Sequence, residues 1–498
     1  MFDLLIKNAW IYDGLGNAPQ KADIGIKDGE IACVGTVTET AERVIDAAGL
    51  AVSPGFIDSH SHADNAVAEY PEWKEVVEQG ITTSVAGQCG SSIYPKEEAA
   101  EAFFKNLKET PLGGNLVLLI GHGALRKAVM GKENRRPTAE ELEQMKKLLA
   151  DGMEQGARGL SLGLAYVPGA YAETEELIAL AKVASSYGGI LAAHTRNEND
   201  LVIDSVREFI TIAREANIRG VISHLKACKK RNWGKVKTLL SMIDEANAAG
   251  AEIYMDVYPY VASSTSLSSA FVPKEALTRP NEELAAALVE PALRQEFEAK
   301  MKPLHGDNLD WVYVTACKGH PEYAGMFVSE IAERMGRTHY DAVYELLHIS
   351  DLSCTSCFFS VNEEEMVEIM KHPRSMIGTD STAAKGRAVY HPRVRGSFVR
   401  ALGHYARDLG VMPMEQMICK MTSFTAAVYG LKNKGRVAEG YDADLCIFDP
   451  QKLIDRADFK SCSLPNEGLH YVLVGGRIAV ENGISTGLKA GCFIPFKN

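Results

Sequence analysis

The 498-residue sequence is 46% hydrophobic and 24% charged, with a mean hydropathy of −0.10, which is the composition of a soluble globular chain too long for one small domain. A formal net charge of −12 argues against nucleic acid or an acidic membrane as a general partner, and no uncharged apolar run is long enough for a membrane span. Ten cysteines scattered from Cys33 to Cys492 make no disulfide framework; with an N-terminus, MFDLLIKNAW, that lacks the marks of a signal peptide, they predict a cytoplasmic protein with reduced thiols.

Residues 1–53 run in short alternating stretches punctuated by Gly and Asp, "DLLIKNAWIYDG", "ADIGIKDGEIACVG" and "RVIDAAGLAVSPG", which is strand-and-turn writing. From residue 55 the texture changes to apolar strand-like runs alternating with helical segments. The strands are expected at 55–62, 81–89, 115–122, 158–164, 189–194, 220–224, 251–258 and 376–380. Among the helices, "TAEELEQMKKLLADGMEQG" starts with Thr138 as N-cap and Glu141 completing a capping box. "TEELIALAKVASSYGG" ends on a glycine stop. The basic run "KACKKRNWGK" (226–235) reads as a solvated loop before a helix, and "CTSC" (354–357) as packing.

Eight strands with crossover helices predict a (β/α)8, TIM-like barrel over residues 54–431. Residues 264–312 fit no βα unit and predict an inserted helical segment that serves as a lid. Strand-like texture returns in "ADLCIFDP", "HYVLVGGRIAVENG" and "CFIPF". Residues 1–53 and 432–498 are therefore expected to meet in one small β-sandwich domain.

In such a barrel all strand ends emerge on the face where active sites are built. "GFIDSHSHAD" ends strand one in His60 and His62, side chains two apart that share one strand face. The other ends carry Cys89, His122, His194, His224, Tyr258 and Asp380. Imidazole, thiolate and carboxylate are the ligands zinc prefers, so their convergence predicts a metal site. Taken alone, Cys89 reads equally as a small buried hydrophobe, and His122 in "GHG" as a packing or hydrogen-bonding residue. Asp58, on the strand face of His60, is left outside the site.

"GFIDSHSHAD", "GQCGSS", "GLSLGLAYVPGAYAETEELIALAKVASSYGGILAAHTRNE", "ISHLK", "NWGK", "VYPYVASSTSL", "MIGTDS" and "YHPRVRGSFVRALGHYAR" resemble the N-acyl-D-amino-acid deacylases, or D-aminoacylases, of the amidohydrolase superfamily. The resemblance runs nearly end to end, through "GRVAEGYDADLCIFDP" and "GLHYVLVGGRIAV". It implies one tight Zn(2+) on Cys89, His194 and His224, and a second, weaker position at His60, His62 and Asp380. It also implies Asp380 as general base, with Lys226, Tyr258, Ser264 and Arg393 contacting substrate. Where the family commonly writes HTHDD, NCG and GSDG, this chain has HSHAD, QCG and GTDS. None of these departures removes a ligand; Ala63, Gln88 and Ser381 are the rim positions that differ.

The chemistry agrees with the resemblance. Amide hydrolysis needs an activated water, a polarised carbonyl and a protonated leaving nitrogen, which zinc and Asp380 together supply. Arg393 suits a carboxylate clamp, and Lys226, two residues beyond His224, is expected on the same strand face. The competing expectation is a cyclic-amide hydrolase of the dihydroorotase or hydantoinase kind. Those enzymes often carry a carboxylated lysine at the end of strand four, where this chain reads "GLSLGL". A non-enzymatic scaffold on the same fold would be marked by lost ligands, and the set here is intact.

Overall fold

The computed structural model describes residues 1–383 and 390–496. Eight parallel strands, Phe56–Asp58, Ile81–Ala86, Asn115–Gly121, Gly159–Gly163, Ile190–His194, Arg219–Ile222, Ile253–Val257 and Ser375–Ile377, pair in that order. They are buried on both faces; every residue of "NLVLLIG" in the third is buried, as expected of parallel strands covered by helices. The first and last strands meet through single bonds: Ser59 N–H donates to Ile377 O (3.3 Å), Asp380 N–H to His60 O (2.8 Å) and His62 N–H to Ser381 O (2.8 Å). The result is the (β/α)8 barrel that the alternation of elements predicts.

The helices turn apolar stripes inward. Helix Val202–Glu215 buries Val206, Phe209, Ile210 and Ala213, the spacing of one helical face. Helix Ala139–Glu154 opens with the expected capping box: the Thr138 side chain accepts from Glu141 N–H (3.2 Å) and Glu141 accepts from Thr138 N–H (2.8 Å).

Four of the strands stop two to four residues earlier than their sequences suggest, and the reason is local. The first, second, sixth and eighth ladders end at Asp58, Ala86, Ile222 and Ile377, short of His62, Cys89, His224 and Asp380. Cys89, His224 and Asp380 hold φ of +52°, +35° and +48°, a left-handed geometry that breaks a ladder and costs non-glycine residues energy. These side chains therefore stand in tight turns just above the barrel.

The excursion between strands seven and eight is larger than the helical segment expected at 264–312. Strands Ala262–Ser266, Cys354–Phe359, Val312–Cys317 and Met326–Phe327 form an antiparallel sheet. Helices Leu267–Phe271, Asn281–Ala287, Pro291–His305, Val328–Met335 and His339–Ile349 pack with it around a separate apolar core. Residues 262–359 thus make a small α+β unit. A helix-only reading fails because the pairing partners lie up to 97 positions apart (Ala262 with Phe359), beyond any local pattern.

The chain ends supply one nine-stranded sheet, from Phe2–Ile11 to Ala51–Pro54 and from Leu445–Phe448 to Ile484–Ser485. Leu4, Ile6, Ile24, Ile45, Leu445 and Leu473 share its apolar core. "CFIPF" is a separate case: bridges of Leu112 to Gly491 and Leu116 to Phe493 set it against the start of barrel strand three. The last two residues of the 432–498 segment lie outside the described residues. All ten cysteines are free. Among the described residues, no helix is long and apolar enough to cross a membrane.

Candidate metal centre

The turns above the barrel bring together six side chains of types that could hold a metal ion. His60, His62, Cys89 and Asp380 form one group and Cys89, His194 and His224 another, the ligand atoms of each group lying within 4.8 Å of one another. Cys89 belongs to both. Its Sγ lies 3.4 Å from His60 Nε2, 3.8 Å from His194 Nδ1 and 3.5 Å from His224 Nε2. Asp380 Oδ1 lies 3.3 Å from His62 Nε2 and 3.6 Å from His60 Nε2. His122 is in neither group; its Nε2 meets Glu176 Oε1 at 2.7 Å, beside the buried Arg126.

Soft thiolate, imidazole and carboxylate converging with little else between them form a donor set that suits zinc. Burial alone would raise the Cys89 thiol, but His60 and hydrogen bonds from His194 and His224 hold it well below the usual thiol range. Burial likewise works against ionised Asp380, yet Arg393 and His224 pull it well below the usual carboxylate range. Both are thus anionic, the form that binds a cation.

Two carboxylates that sequence reasoning passed over sit behind the ligands. Glu198 Oε1 lies 3.0 Å from His224 Nδ1, and its Oε2 3.7 Å from His194 Nε2. Asp256 Oδ2 lies 3.5 Å from His60 Nδ1, while its Oδ1 accepts from His224 N–H (2.7 Å). Such carboxylates set the tautomer and aim of ligating imidazoles. Each left a sequence signal: Glu198 follows His194 by four residues, and Asp256 is an isolated acid inside an apolar strand. Asp58 joins first and last strands, accepting from Thr379 Oγ1 (2.6 Å), Thr379 N–H (2.9 Å) and His60 N–H (3.1 Å).

The expected substrate contacts surround the centre. Lys226 and Arg393 are buried, and their cations lie 5.5 and 5.0 Å from the ring of Tyr258. The Tyr258 hydroxyl is buried without a hydrogen-bond partner among the described residues. Lys226 reaches this position through the turn at His224, since no strand continues there, and donates to Glu198 (2.6 Å) and the His224 carbonyl (3.0 Å). Arg393 donates to Asp380 Oδ2 (2.8 Å); its neighbours Arg395 and Arg400 pair elsewhere, with Glu75, Glu78 and Asp455. The run 226–235 is no solvated loop at its start: Lys226, Ala227 and Cys228 are buried.

Two cavities, of about 230 and 460 Å³, open on the centre, with Tyr166, Ser264, Thr265 and Asp380 lining both. The first lobe is walled in part by the inserted unit and in part by the turns after His194 and His224; the second runs past His62, Cys89 and Arg393.

The pattern of the amidohydrolase family matches residues 43–480. This chain is an amidohydrolase. The amidohydrolase is 35% identical to the N-acyl-D-glutamate deacylase of Alcaligenes xylosoxydans xylosoxydans over 95% of this chain and 93% of that one. It is 34% identical to the D-aminoacylase of the same organism over 98% and 97%. The crystal structure of N-acyl-D-glutamate deacylase from Bordetella bronchiseptica, complexed with zinc and a phosphonate mimic of the tetrahedral intermediate, superposes with a TM-score of 0.86 at 33% identity, over 99% of this chain and 100% of that one.

Proposed function

We propose that this amidohydrolase hydrolyses the amide bond of N-acyl-D-amino acids, releasing a carboxylate and a free D-amino acid, with zinc as cofactor. The observation that carries the reading is the Cys89-shared ligand cluster in a chain whose near-full-length relatives are named for D-amino-acid deacylation. Cys89, His194 and His224 would hold the tight zinc, and His60, His62 and Asp380 a second, weaker one. When bound, zinc lowers the pKa of water and polarises an amide carbonyl.

The protein's own groups provide the rest. Asp380, ionised and steered by Arg393 at one oxygen, turns the other toward the histidines, where it takes the proton of the attacking water and delivers it to the departing nitrogen. Lys226, Arg393 and the Tyr258 hydroxyl, which has no hydrogen-bond partner among the described residues, meet the substrate's α-carboxylate, which is costly to bury unpaired. Ser264, on the first strand of the inserted sheet, faces both lobes and orients the acyl group. The two lobes suit the two ends of a linear amide. Strand four, "GLSLG", offers no lysine for the bridging role that cyclic-amide hydrolases often give one. Free cysteines accord with a cytoplasmic location.

The test is zinc analysis together with amine release from N-acetyl-D- and N-acetyl-L-amino acids, dihydrouracil and hydantoin. Turnover of D-amides by zinc-loaded enzyme is expected. Turnover confined to the cyclic amides would replace this reading with the hydantoinase-like one.

A further inference from the structure

The motif "CTSC" finds a partner outside itself. Its two cysteines stand three apart in strand Cys354–Phe359 and so point to opposite faces of the inserted sheet. Cys357 lies in register between Ser264 and Tyr313. Cys354 is in register with Cys317, the last residue of strand Val312–Cys317. Just beyond this pair, Lys318 N–H donates to Ser353 O (3.0 Å). That bond marks the non-hydrogen-bonded kind of antiparallel pair, in which Cα atoms stand about 4.5 Å apart and side chains approach most closely. A disulfide spans Cα separations of about 4.4–6.8 Å, so the two backbones already stand at bridging distance. The thiols touch as well, that of Cys354 donating to the sulfur of Cys317. Both lie in the apolar core of the inserted unit, Cys317 with 6% of its surface exposed and Cys354 with 1%.

The two sulfurs are not equivalent. The hydrogen bond from Cys354 holds the Cys317 thiol below its usual range, against the effect of burial. The same bond, with burial, pushes Cys354 up. Burial also pushes up Cys33 and Cys492, which are more accessible. The thiolate is the form that reacts with oxidants, and a lowered thiol beside a second one is the arrangement of redox-responsive cysteines.

We propose that Cys317 and Cys354 are a hydroperoxide-responsive dithiol that closes to a reversible disulfide inside the inserted unit. The Cys317 thiolate attacks one oxygen of the hydroperoxide, the O–O bond breaks, and the alkoxide or hydroxide that leaves takes up a proton. Cys317 is then a sulfenic acid. The sulfur of Cys354 displaces hydroxide from it, and the Cys354 thiol proton leaves with that hydroxide as water. Two thiols are oxidised by two electrons, and the hydroperoxide is reduced to an alcohol (water, for hydrogen peroxide) and water. A small thiol reverses the step by exchange. The link closes residues 318–353, with helices Val328–Met335 and His339–Ile349, into one loop. It also ties down the strand whose Phe358 walls the first lobe.

The experiment treats the full chain, supplied with zinc so that Cys89 stays engaged, with a small excess of hydrogen peroxide at neutral pH. Remaining thiols are blocked with N-ethylmaleimide and the peptides are mapped by mass spectrometry without reduction. A peptide pair joined through Cys317 and Cys354 is expected to form at least about tenfold faster than Cys492 is oxidised, although Cys492 is exposed. Dithiothreitol should return both thiols. In Cys354→Ser, which keeps a donor beside Cys317, dimedone should trap a sulfenic acid on Cys317; in Cys317→Ala, Cys354 should stay reduced. Oxidation of Cys492 first overturns the proposal, as does a map in which Cys317 and Cys354 stay reduced. So does Cys317 advancing to sulfinic acid in the unaltered chain without a link to Cys354. The map of the unaltered chain decides the matter even where a variant fails to fold.

Discussion

Asp380 shows how much a single side chain depends on its surroundings. It sits at φ +48° between Arg393 on one oxygen and His60 and His62 on the other, half-buried and held anionic. Its amide N–H is spent on closing the barrel against His60 O, so its backbone and side chain serve the same junction. Asp380→Asn keeps the size and removes proton acceptance. We expect kcat to fall by at least ~10²-fold, the low end for general acid–base catalysis, with KM changing far less. Near-normal turnover in steady-state assays of that variant would place the base elsewhere. The position of Asp380 at a strand end is readable from "MIGTDS"; its partnership with Arg393, thirteen residues on, becomes visible only once the turn is folded.

Strand four explains why a cysteine can serve this centre. "GLSLG" puts Gly163 directly against the Cys89 turn: a Cβ there would lie 1.9 Å from the Cys89 carbonyl oxygen and 3.2 Å from Gly90 N. The strand is bare at its end so that the neighbouring turn can close over it. Gly163→Ala must therefore push the Cys89 backbone aside. We expect that variant to lose tightly bound zinc, by elemental analysis, while its far-UV circular dichroism stays native. Full zinc content would show that the turn yields without moving the sulfur. The strands and their order were legible from alternation with helices, and the Thr138 capping box from four residues. The early strand ends were not, because an apolar run leading into a histidine has the same pattern whether or not its last residues flip to positive φ.

Among the described residues the larger apolar cores lie in the barrel, the inserted unit and the terminal sheet, and none of them includes a residue of the ligand cluster. Hydrophobic burial should then hold the fold without metal, while zinc that binds only the folded chain adds stability. At a hundredfold excess of free zinc over its Kd the gain is about 2.7 kcal/mol. Calorimetry should show a folded apoprotein after chelation, a lower unfolding temperature than the zinc-loaded form, and recovery on adding zinc back. Identical unfolding temperatures would mean that the cluster does not bind zinc in the native chain. The inserted unit illustrates the limit of sequence reading over long distances: three of its helices fall within the expected 264–312, but Val328–Met335 and His339–Ile349 lie beyond it, and the sheet that joins them needs Cys354–Phe359, which on its own reads only as a packed "CTSC".

By itself the sequence specified the barrel, the placing of His60, His62, Cys89, His194, His224 and Asp380 at or just beyond the C-terminal ends of its strands, and the resemblance to D-amino-acid deacylases. Those properties are written in short-range periodicity and in residue types at strand ends, which survive in a linear string. Tertiary structure decided the sharing of Cys89 between two ligand groups, the carboxylates of Glu198 and Asp256 behind the imidazoles, and the division of the cavity into two lobes. Each of these joins residues far apart in the chain, as Cys89 and His224 are, 135 positions from one another. They meet because closing an eight-stranded barrel brings every strand's end to one rim, and no local pattern records which ends will face each other across it.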